Sequence, residues 1–382
     1  MRPAIGVSSF KDKSVISRLS SYALQVNSRM SDGNPFVSII ISSHNYAEYV
    51  GAAIESALGI DWPAVEIIVV DDGSTDGSQA VIERYADRVT VIHQQQSTER
   101  VANNVGFASS RGDVIIFLDS DDILHPTVIR ELAAVWRPGI SKVQFQMIRI
   151  DAGGNPMGSI FPQYDVVPTP ERIRDWLAKS DAYPTPPGSG NAYSRWFLEK
   201  IFPLDGSCGD YSDSACLAAA PYYGDIVTIK KPLVSYRVHG RNVSAFSTLD
   251  AKRFSREVQR AQLRFAFSQR IAKSVGITIP DDNLTKSIHF LQHRIASIKL
   301  APALHPIVGD TLTMAMFDGI RGAMVYRGAT LKTRIAILLW ALAVAVSPER
   351  LAKHLVLWKF ASATQPIYLR KALAGFGIAQ GL

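Results

Sequence analysis

"IIFLDSDDILHP" (Ile115–Pro126) decides how this 382-residue chain is read. An apolar run of strand-forming residues ends directly in Asp119, Asp121 and Asp122. Unpaired buried carboxylates are expensive, so a buried strand that ends in three of them needs a reason. One acid could cap a helix beginning near Pro126, which is worth about 1 kcal/mol, but capping has no use for three. A divalent cation does have a use for them. Mg²⁺ or Mn²⁺ takes hard oxygen ligands, commonly one or two protein carboxylates together with substrate phosphates.

Upstream, short β-branched runs alternate with helical segments. "FVSIII" (Phe36–Ile41), "VEIIVV" (Val65–Val70), "RVTVIH" (Arg88–His93) and "DVIIFLD" (Asp113–Asp119) read as four strands. Asn45 and Glu48 have the spacing of a helix cap, Asp76 and Gln79 can cap Ala80–Tyr85, and Gly73 and Gly77 permit a tight turn. A further helix is expected over Ala102–Ser110. The alternation predicts an α/β fold, with a Rossmann-like, mainly parallel sheet covered by helices. In such sheets ligands gather beyond the carboxyl ends of the strands, because helices block both faces. Ser42–Asn45, Asp71–Asp72 and Asp119–Asp122 should therefore share one edge. Asp71 or Asp72 could accept hydrogen bonds from a nucleoside, by the logic that places an acid on ribose in dinucleotide sites. No Gly-x-Gly-x-x-Gly follows the first strand, which argues against a nicotinamide or flavin cofactor.

Beyond Val143 the rhythm changes. Val143–Ile150 reads as a strand, "DAGGNP" as a hairpin-type turn, and Phe161–Gly190, rich in Pro, Tyr and Gly, as an irregular substrate-facing region. Asp225–Tyr236 reads as a last strand pair or edge strand, because Pro232 would interrupt a central strand. From Asp250 the chain reads as mostly helical.

Composition is that of a globular protein, with Cys208 and Cys216 expected to be reduced cytosolic thiols. No secretory signal is read in Met1–Asp32, and no apolar run reaches the roughly 18 residues of a membrane span. The net charge of +7 is uneven, since the part from Ala251 onward carries 19 Lys and Arg against 6 Asp and Glu. Within it "IAILLWALAVAV" (Ile335–Val346), flanked by basic residues, is either a buried core helix or an interfacial one, with Trp340 and Trp358 at the headgroup level of an anionic membrane. No nucleic-acid-binding motif accompanies the basic charge, so nucleic acid is not an expected partner.

"VSIIISSHNYAEYVGAAIESAL", "VEIIVVDDGSTDGS" and "GDVIIFLDSDD", in this order and spacing, resemble the family 2 inverting glycosyltransferases of the GT-A fold, with looser similarity through "PLVSYRVHGRNVS" (Pro232–Ser244). The resemblance implies a glycosyltransferase domain over 34–248; composition and charge set apart a lead-in over residues 1–33 and a basic, mostly helical region over 249–382, which the resemblance does not cover. It implies a metal-dependent, inverting transfer of a sugar from a nucleotide-sugar, UDP favoured, to a hydroxyl of a glycan or lipid-linked acceptor. Such an enzyme would act in polysaccharide or cell-envelope synthesis, in the cytoplasm or on the inner face of the membrane. Roles carry over by motif: Ser43, Asn45, Asp71, Asp72, Asp119 and Ser120 for the nucleotide-sugar; Asp119, Asp121 and His239 for Mg²⁺ or Mn²⁺; Asp213 as catalytic base, with Asp210 in reserve. "PPGSGNAYSRW" (Pro186–Trp196) resembles the acceptor-facing loop.

The chain departs from the family in three places. Asn103-Asn104 stands where an Arg-Asn pair is common, which leaves an Arg contact to the nucleotide missing or supplied by Arg100. Ser212 precedes Asp213 where Glu is common. The Gln-x-x-Arg-Trp motif of processive members is absent, so one sugar per encounter is expected. Two rival classes are a nucleotidyltransferase, whose Gly/Lys-rich phosphate loop is missing from "SSHNYAEY", and a non-catalytic nucleotide-sugar or membrane-surface scaffold.

Overall fold

A computed structural model describes residues 34–180, 182–240, 242, 250–326 and 328–360. The expected lead-in 1–33, together with Arg241, Val243 and Ser244 of the "PLVSYRVHGRNVS" segment, lies outside them.

Strand β1 (Val37–Ser43) is apolar on both faces and is covered on both. Val37, Ile39 and Ile41 enter one core with Val50, Ala53, Ile54 and Ala57 of α1 (Val50–Leu58), while Ile40 enters the other. Each buried Ile contributes about 1.5–3 kcal/mol. β2 (Val65–Asp72) lies parallel to β1 on one side, and β3 (Thr90–Gln94) lies parallel beyond it. β4 (Val114–Asp119) lies parallel to β1 on the other side. Between them run α2 (Ser78–Glu83) and α3 (Glu99–Ser109). α3 packs so closely that a side chain at Gly106 would collide with Ile40.

The four expected strands are present within two residues of their expected ends. Asn45 does not cap α1, whose N-cap is Tyr49 without a side-chain bond. α3 starts three residues earlier than expected, because the Thr98 hydroxyl accepts from the Val101 amide.

Past β4 the sheet becomes mixed. Its nine strands run β3-β2-β1-β4-β8-β6-β9-β5, with β7 paired to β6. These are β5 (Ile123–Leu124), β6 (Ile140–Ile150), β7 (Pro156–Phe161), β8 (Asn191–Ser194) and β9 (Asp225–Arg237). "DAGGNP" joins β6 to β7 as an antiparallel hairpin. β9 pairs with β6 on one side and β5 on the other, and it passes Pro232 where the β6 register shifts. A bulge absorbs the missing N–H there, and β5 pairs only after it, at Val234 and Ser235.

α4 (Val128–Ala133) follows β5, and the Phe161–Gly190 stretch holds a helix that the sequence reading left irregular. This α5 (Pro170–Lys179) has Pro at its start and Thr169 accepting from Arg172 N, and it buries Ile173, Trp176 and Leu177. Short α6 (Arg195–Leu198) and α7 (Ser212–Tyr223) complete the second core. Trp196 packs against that core.

The described residues from 250 to 360 are mostly helical, as expected: α8 (Ala251–Ser274), α9 (Ile288–Leu300), α10 (Leu312–Val325), α11 (Leu331–Val346) and α12 (Glu349–Phe360). Bidentate contacts of Arg294 with Asp310, at 2.6 and 2.7 Å, pin α9 to the loop before α10. Among the described residues no helix is long and apolar enough to cross a membrane. α11 is both core and surface: Ile337, Trp340, Ala341 and Val344 are buried, while Ile335, Leu339, Leu342 and Val346 are exposed. Trp340 is buried with Nε1 donating to Leu355 O at 3.0 Å, which rules out the headgroup position considered for it. Cys208 and Cys216 are buried free thiols.

Candidate active site

Strand register sets the site. Ser43 lies level with Asp71, and Ser42 with Asp119, so the first, second and fourth strands deliver their polar ends to one edge. β1 stands between β2 and β4 with connections leaving in opposite directions, the arrangement that opens a crevice at a sheet's carboxyl edge. A cavity of about 870 Å³ opens there, near the upper end of the roughly 300–1,000 Å³ common for small-ligand sites. Ser43, Asp72, Asp119, Ser120, Asp121 and Asp213 all line it.

The β2 end is tightly organised. Gly73 adopts φ +69° against Gln96, a backbone state that suits glycine. Asp72 accepts from Gln94 Nε2 at 2.6 Å and Ser97 N at 2.9 Å, both on Oδ1. Asp71 is fully buried, accepting from Ser74 N at 3.2 Å and Gln79 Nε2 at 2.8 Å, and its Oδ1 has no hydrogen-bond partner. Asn45 holds the two loops together: its amide donates to Ser74 Oγ at 2.9 Å and its Oδ1 accepts from Thr75 N at 2.7 Å, at φ +58°. Ser43 Oγ is buried at the cavity without a hydrogen-bond partner. Arg100 points elsewhere, donating to Leu204 O at 2.7 Å and Gly209 O at 3.0 Å, so it does not replace the missing Arg contact.

At the β4 end, carboxylate oxygens of Asp119, Asp121 and Asp122 lie within 4.8 Å of one another. Burial, then the charges of Asp121 and Asp213, push the Asp119 carboxyl up to about 7. Burial and the same crowding raise Asp122 well above the usual carboxylate range, and its Oδ2 is buried with no hydrogen-bond partner. Three converging carboxylates with an orphaned oxygen and raised proton affinities fit a hard divalent cation. A Cβ at Gly188 would rest 3.4 Å from the Asp119 carboxylate, an ordinary contact, so the backbone of this loop lies directly against the acid. His239 reaches the cluster through Asp121: its Nε2 lies 2.8 Å from Asp121 Oδ2, and its ring stacks on Tyr49. Asn242 donates to the same oxygen at 3.1 Å. Arg237 ties the end of β9 to this loop, its amide donating to Asp122 Oδ1 at 3.0 Å and its Nε to Asp121 O at 2.9 Å.

Asp213 stands in the first turn of α7, on the cavity wall. Asp210 is exposed, is not among the residues lining the cavity, and its carbonyl accepts from Arg100 N. Beside Asp213 the structure adds Glu99, which the sequence reading passed over. Its carboxylate accepts from Ser212 N at 2.7 Å and Ser212 Oγ at 2.8 Å, capping α7 from 113 residues away, and it too lines the cavity. Burial, then the Asp213 charge, push Glu99 up to about 8, although the Ser212 bonds pull the other way. An acid thus returns to the place where Ser212 had seemed to remove one. Only a contact spanning 113 residues reveals it, and the one local signal is Glu99's position directly after the Thr98 cap.

Residues 38–202 match the family described as Glycosyl transferase family 2. An uncharacterized glycosyltransferase of Nostoc sp. (strain PCC 7120), alr2836, is 34% identical over 231 residues, covering 56% of this chain and 70% of that protein. The putative glycosyltransferase EpsH of Bacillus subtilis (strain 168) is 28% identical over 215 residues, covering 54% and 61%. Among solved structures, the mannosyltransferase PcManGT of Pyrobaculum calidifontis, in complex with GDP-Man and Mn²⁺, is similar at 17% identity and a TM-score of 0.47, over 90% of this chain and 94% of that one. With a relative matched over more than two thirds of its length and the family pattern running from β1 through α6, this chain belongs to glycosyl transferase family 2 and is a glycosyltransferase.

Proposed function

We propose that this glycosyltransferase is metal-dependent and inverting, moving one sugar per encounter from a nucleotide-sugar, UDP favoured, to a hydroxyl of a glycan or lipid-linked acceptor. The observation that carries the reading is one cavity bounded by the acid cluster at β4, the Asp72 loop and Asp213. Asp119, Asp121 and Asp122 would hold Mg²⁺ or Mn²⁺, with His239 and Asn242 orienting Asp121. When bound, the cation supplies positive charge where the departing diphosphate gathers negative charge. Asp72, Ser43 and Ser120 receive the nucleotide-sugar from the cavity side, while Asn45 and Asp71 keep the loops in shape.

Inverting transfer is a single displacement at the anomeric carbon. As the acceptor oxygen bonds, its proton must leave, and a carboxylate on the far side of the sugar is sufficient to take it. Asp213 would take that proton, a reading supported by its position on the cavity wall and by Glu99, which fixes the helix end that carries it. The test is hydrolysis and transfer from labelled UDP-sugars with and without Mn²⁺. Turnover that needs both the metal and Asp213 supports the reading. UDP binding without turnover in the wild-type chain would instead support the non-catalytic scaffold.

We further propose that the helical region rests on an anionic membrane surface. Met314, Phe317, Ile320 and Met324 on α10, and Leu331, Ile335, Leu339, Leu342 and Val346 on α11, are exposed, and the two helices pack together. Scattered exposed apolar residues are ordinary, but two apolar stripes on neighbouring helices are not. Arg321 on α10, Lys332 on α11, and Arg350 and Lys353 on the adjoining α12 are exposed or partly exposed and suit an acidic headgroup layer.

A further inference from the structure

The cavity does not end at Asp213. It continues to α8, α9 and the end of α12, and there its character reverses. Arg253, Arg260 and Arg264 are spaced seven and four residues apart on α8, which sets them on one face. His289 and His293 face the cavity from α9, and Lys359 faces it from α12. Against these cations stand Glu257, paired with Arg260 at 3.1 Å, and Asp165, which accepts from Thr330 N and Thr333 Oγ1.

Two observations point to an anionic ligand. Lys359 is 4% exposed, and among the described residues its ammonium makes no hydrogen bond or ion pair; its neighbour is the Trp340 ring, 5.1 Å away. Burial pulls that ammonium down to about 8. His293 Nδ1 is likewise buried without a hydrogen-bond partner. The charges of Arg253, Arg264, Lys359 and Arg260 all bear on the His293 ring, so the cations converge on one place. Burial, with that positive field, pulls both histidines down to about 4, leaving neutral rings that each offer one N–H. A buried ammonium such as that of Lys359, with no ion pair among the described residues, is costly, and a ligand that supplies the charge recovers the cost on binding.

We propose that this half of the cavity is a subsite for a phosphate group carried by the acceptor, held by Arg264, Lys359 and Arg253 with the imidazoles of His289 and His293 as neutral donors. A carboxylate brings one charge and two oxygens, which a single Arg satisfies; a phosphate monoester brings up to two charges and three oxygens, matching several converging donors. The proposal rests on reading the acidic half as the donor site. The two halves then divide the labour by sign, carboxylates with a cation for the donor diphosphate and cations for the acceptor, and this keeps either anion from occupying the other's place.

The test is calorimetric titration of the full chain with inorganic phosphate, with Mg²⁺ and UDP at saturation so that the donor half is filled. Saturable binding is expected, weakened about tenfold or more by Lys359→Met and by Arg264→Gln, with UDP affinity changed less than about twofold in both. The UDP isotherm also reports that each variant has folded. No saturation by phosphate in the wild type, or unaltered phosphate affinity in both variants, overturns the subsite. If UDP does not bind, the donor reading fails, and the phosphate isotherm run without nucleotide still decides the subsite. Hexyl phosphate and glucose 6-phosphate then identify the source: tighter binding of the first means a lipid-borne phosphate, and of the second a glycan-borne one.

Discussion

Mn²⁺ affinity should depend steeply on pH between 5.5 and 7.5, because Asp119 holds a proton that the cation must displace. Its carboxyl sits near 7 for two reasons: burial disfavours its charge, and Asp121 and Asp213 repel it. A group with that midpoint is about 3% ionised at pH 5.5 and about 75% ionised at pH 7.5, so affinity should rise roughly 25-fold, close to 2 kcal/mol. Calorimetry in two buffers of different ionisation enthalpy would count the protons released, with one or more expected per Mn²⁺ below pH 7. Asp213→Asn removes one of the charges that raise Asp119, so the rise should move to lower pH in that variant. The sign for the metal-free protein is opposite. Acids raised in the folded state hold protons more tightly than in the unfolded chain, so their contribution to stability is present below the ordinary carboxylate range and is lost as pH climbs toward 7 for Asp119 and 8 for Glu99. The melting temperature without metal should therefore fall over that window, and Mn²⁺ should restore more of it at pH 7.5 than at 5.5. Flat affinity with no proton release would show that the Asp119 cluster does not hold the cation.

Asp213→Asn should lower the rate of transfer by about 10²–10⁴ while UDP affinity at pH 7.5 stays within a few-fold, measured by single-turnover transfer beside calorimetry. Asp210→Asn should leave both nearly unchanged. Glu99→Gln keeps an acceptor for Ser212 and should retain far more transfer than Glu99→Ala, which strips the start of α7; equal losses in both would mean that the charge of Glu99, and not its hydrogen bonds, matters. Leu339→Glu with Phe317→Glu should abolish flotation with phosphatidylglycerol vesicles while leaving the melting temperature within about 2 °C, since both side chains are already exposed. Asp310→Ala should destabilise the helical region by about 1–3 kcal/mol in urea unfolding, because it takes the bidentate partner from the buried Arg294, whose Nη1 keeps Asp318 at 2.8 Å.

What could be read from the sequence and what could not divide along the range of the interactions. β1, β2 and β4 announce themselves through apolar runs that end in polar residues, and the edge shared by Ser43, Asp72 and Asp119 follows from strand alternation alone, because parallel register carries each loop to the same side. α5 was missed because Pro and Tyr around it read as loop, although Thr169 and Pro170 are ordinary start signals for a helix. Pro232 misled in the opposite direction, since nothing local shows that the β6 register slips where the proline falls. Glu99, Asn242 and the basic half of the cavity lie beyond sequence reasoning for a stronger reason. Glu99 acquires its role from Ser212, Asn242 from Asp121, and Lys359 from α8 and α9, and none of these partners leaves a trace in the residue's own neighbourhood. The family motif underlies the proposed donor site, because its acids lie at strand ends that the sheet carries to one edge. What distinguishes this chain is assembled by tertiary contact between that motif and a helical region without motifs, and so the acceptor has to be inferred from charge and burial within the fold.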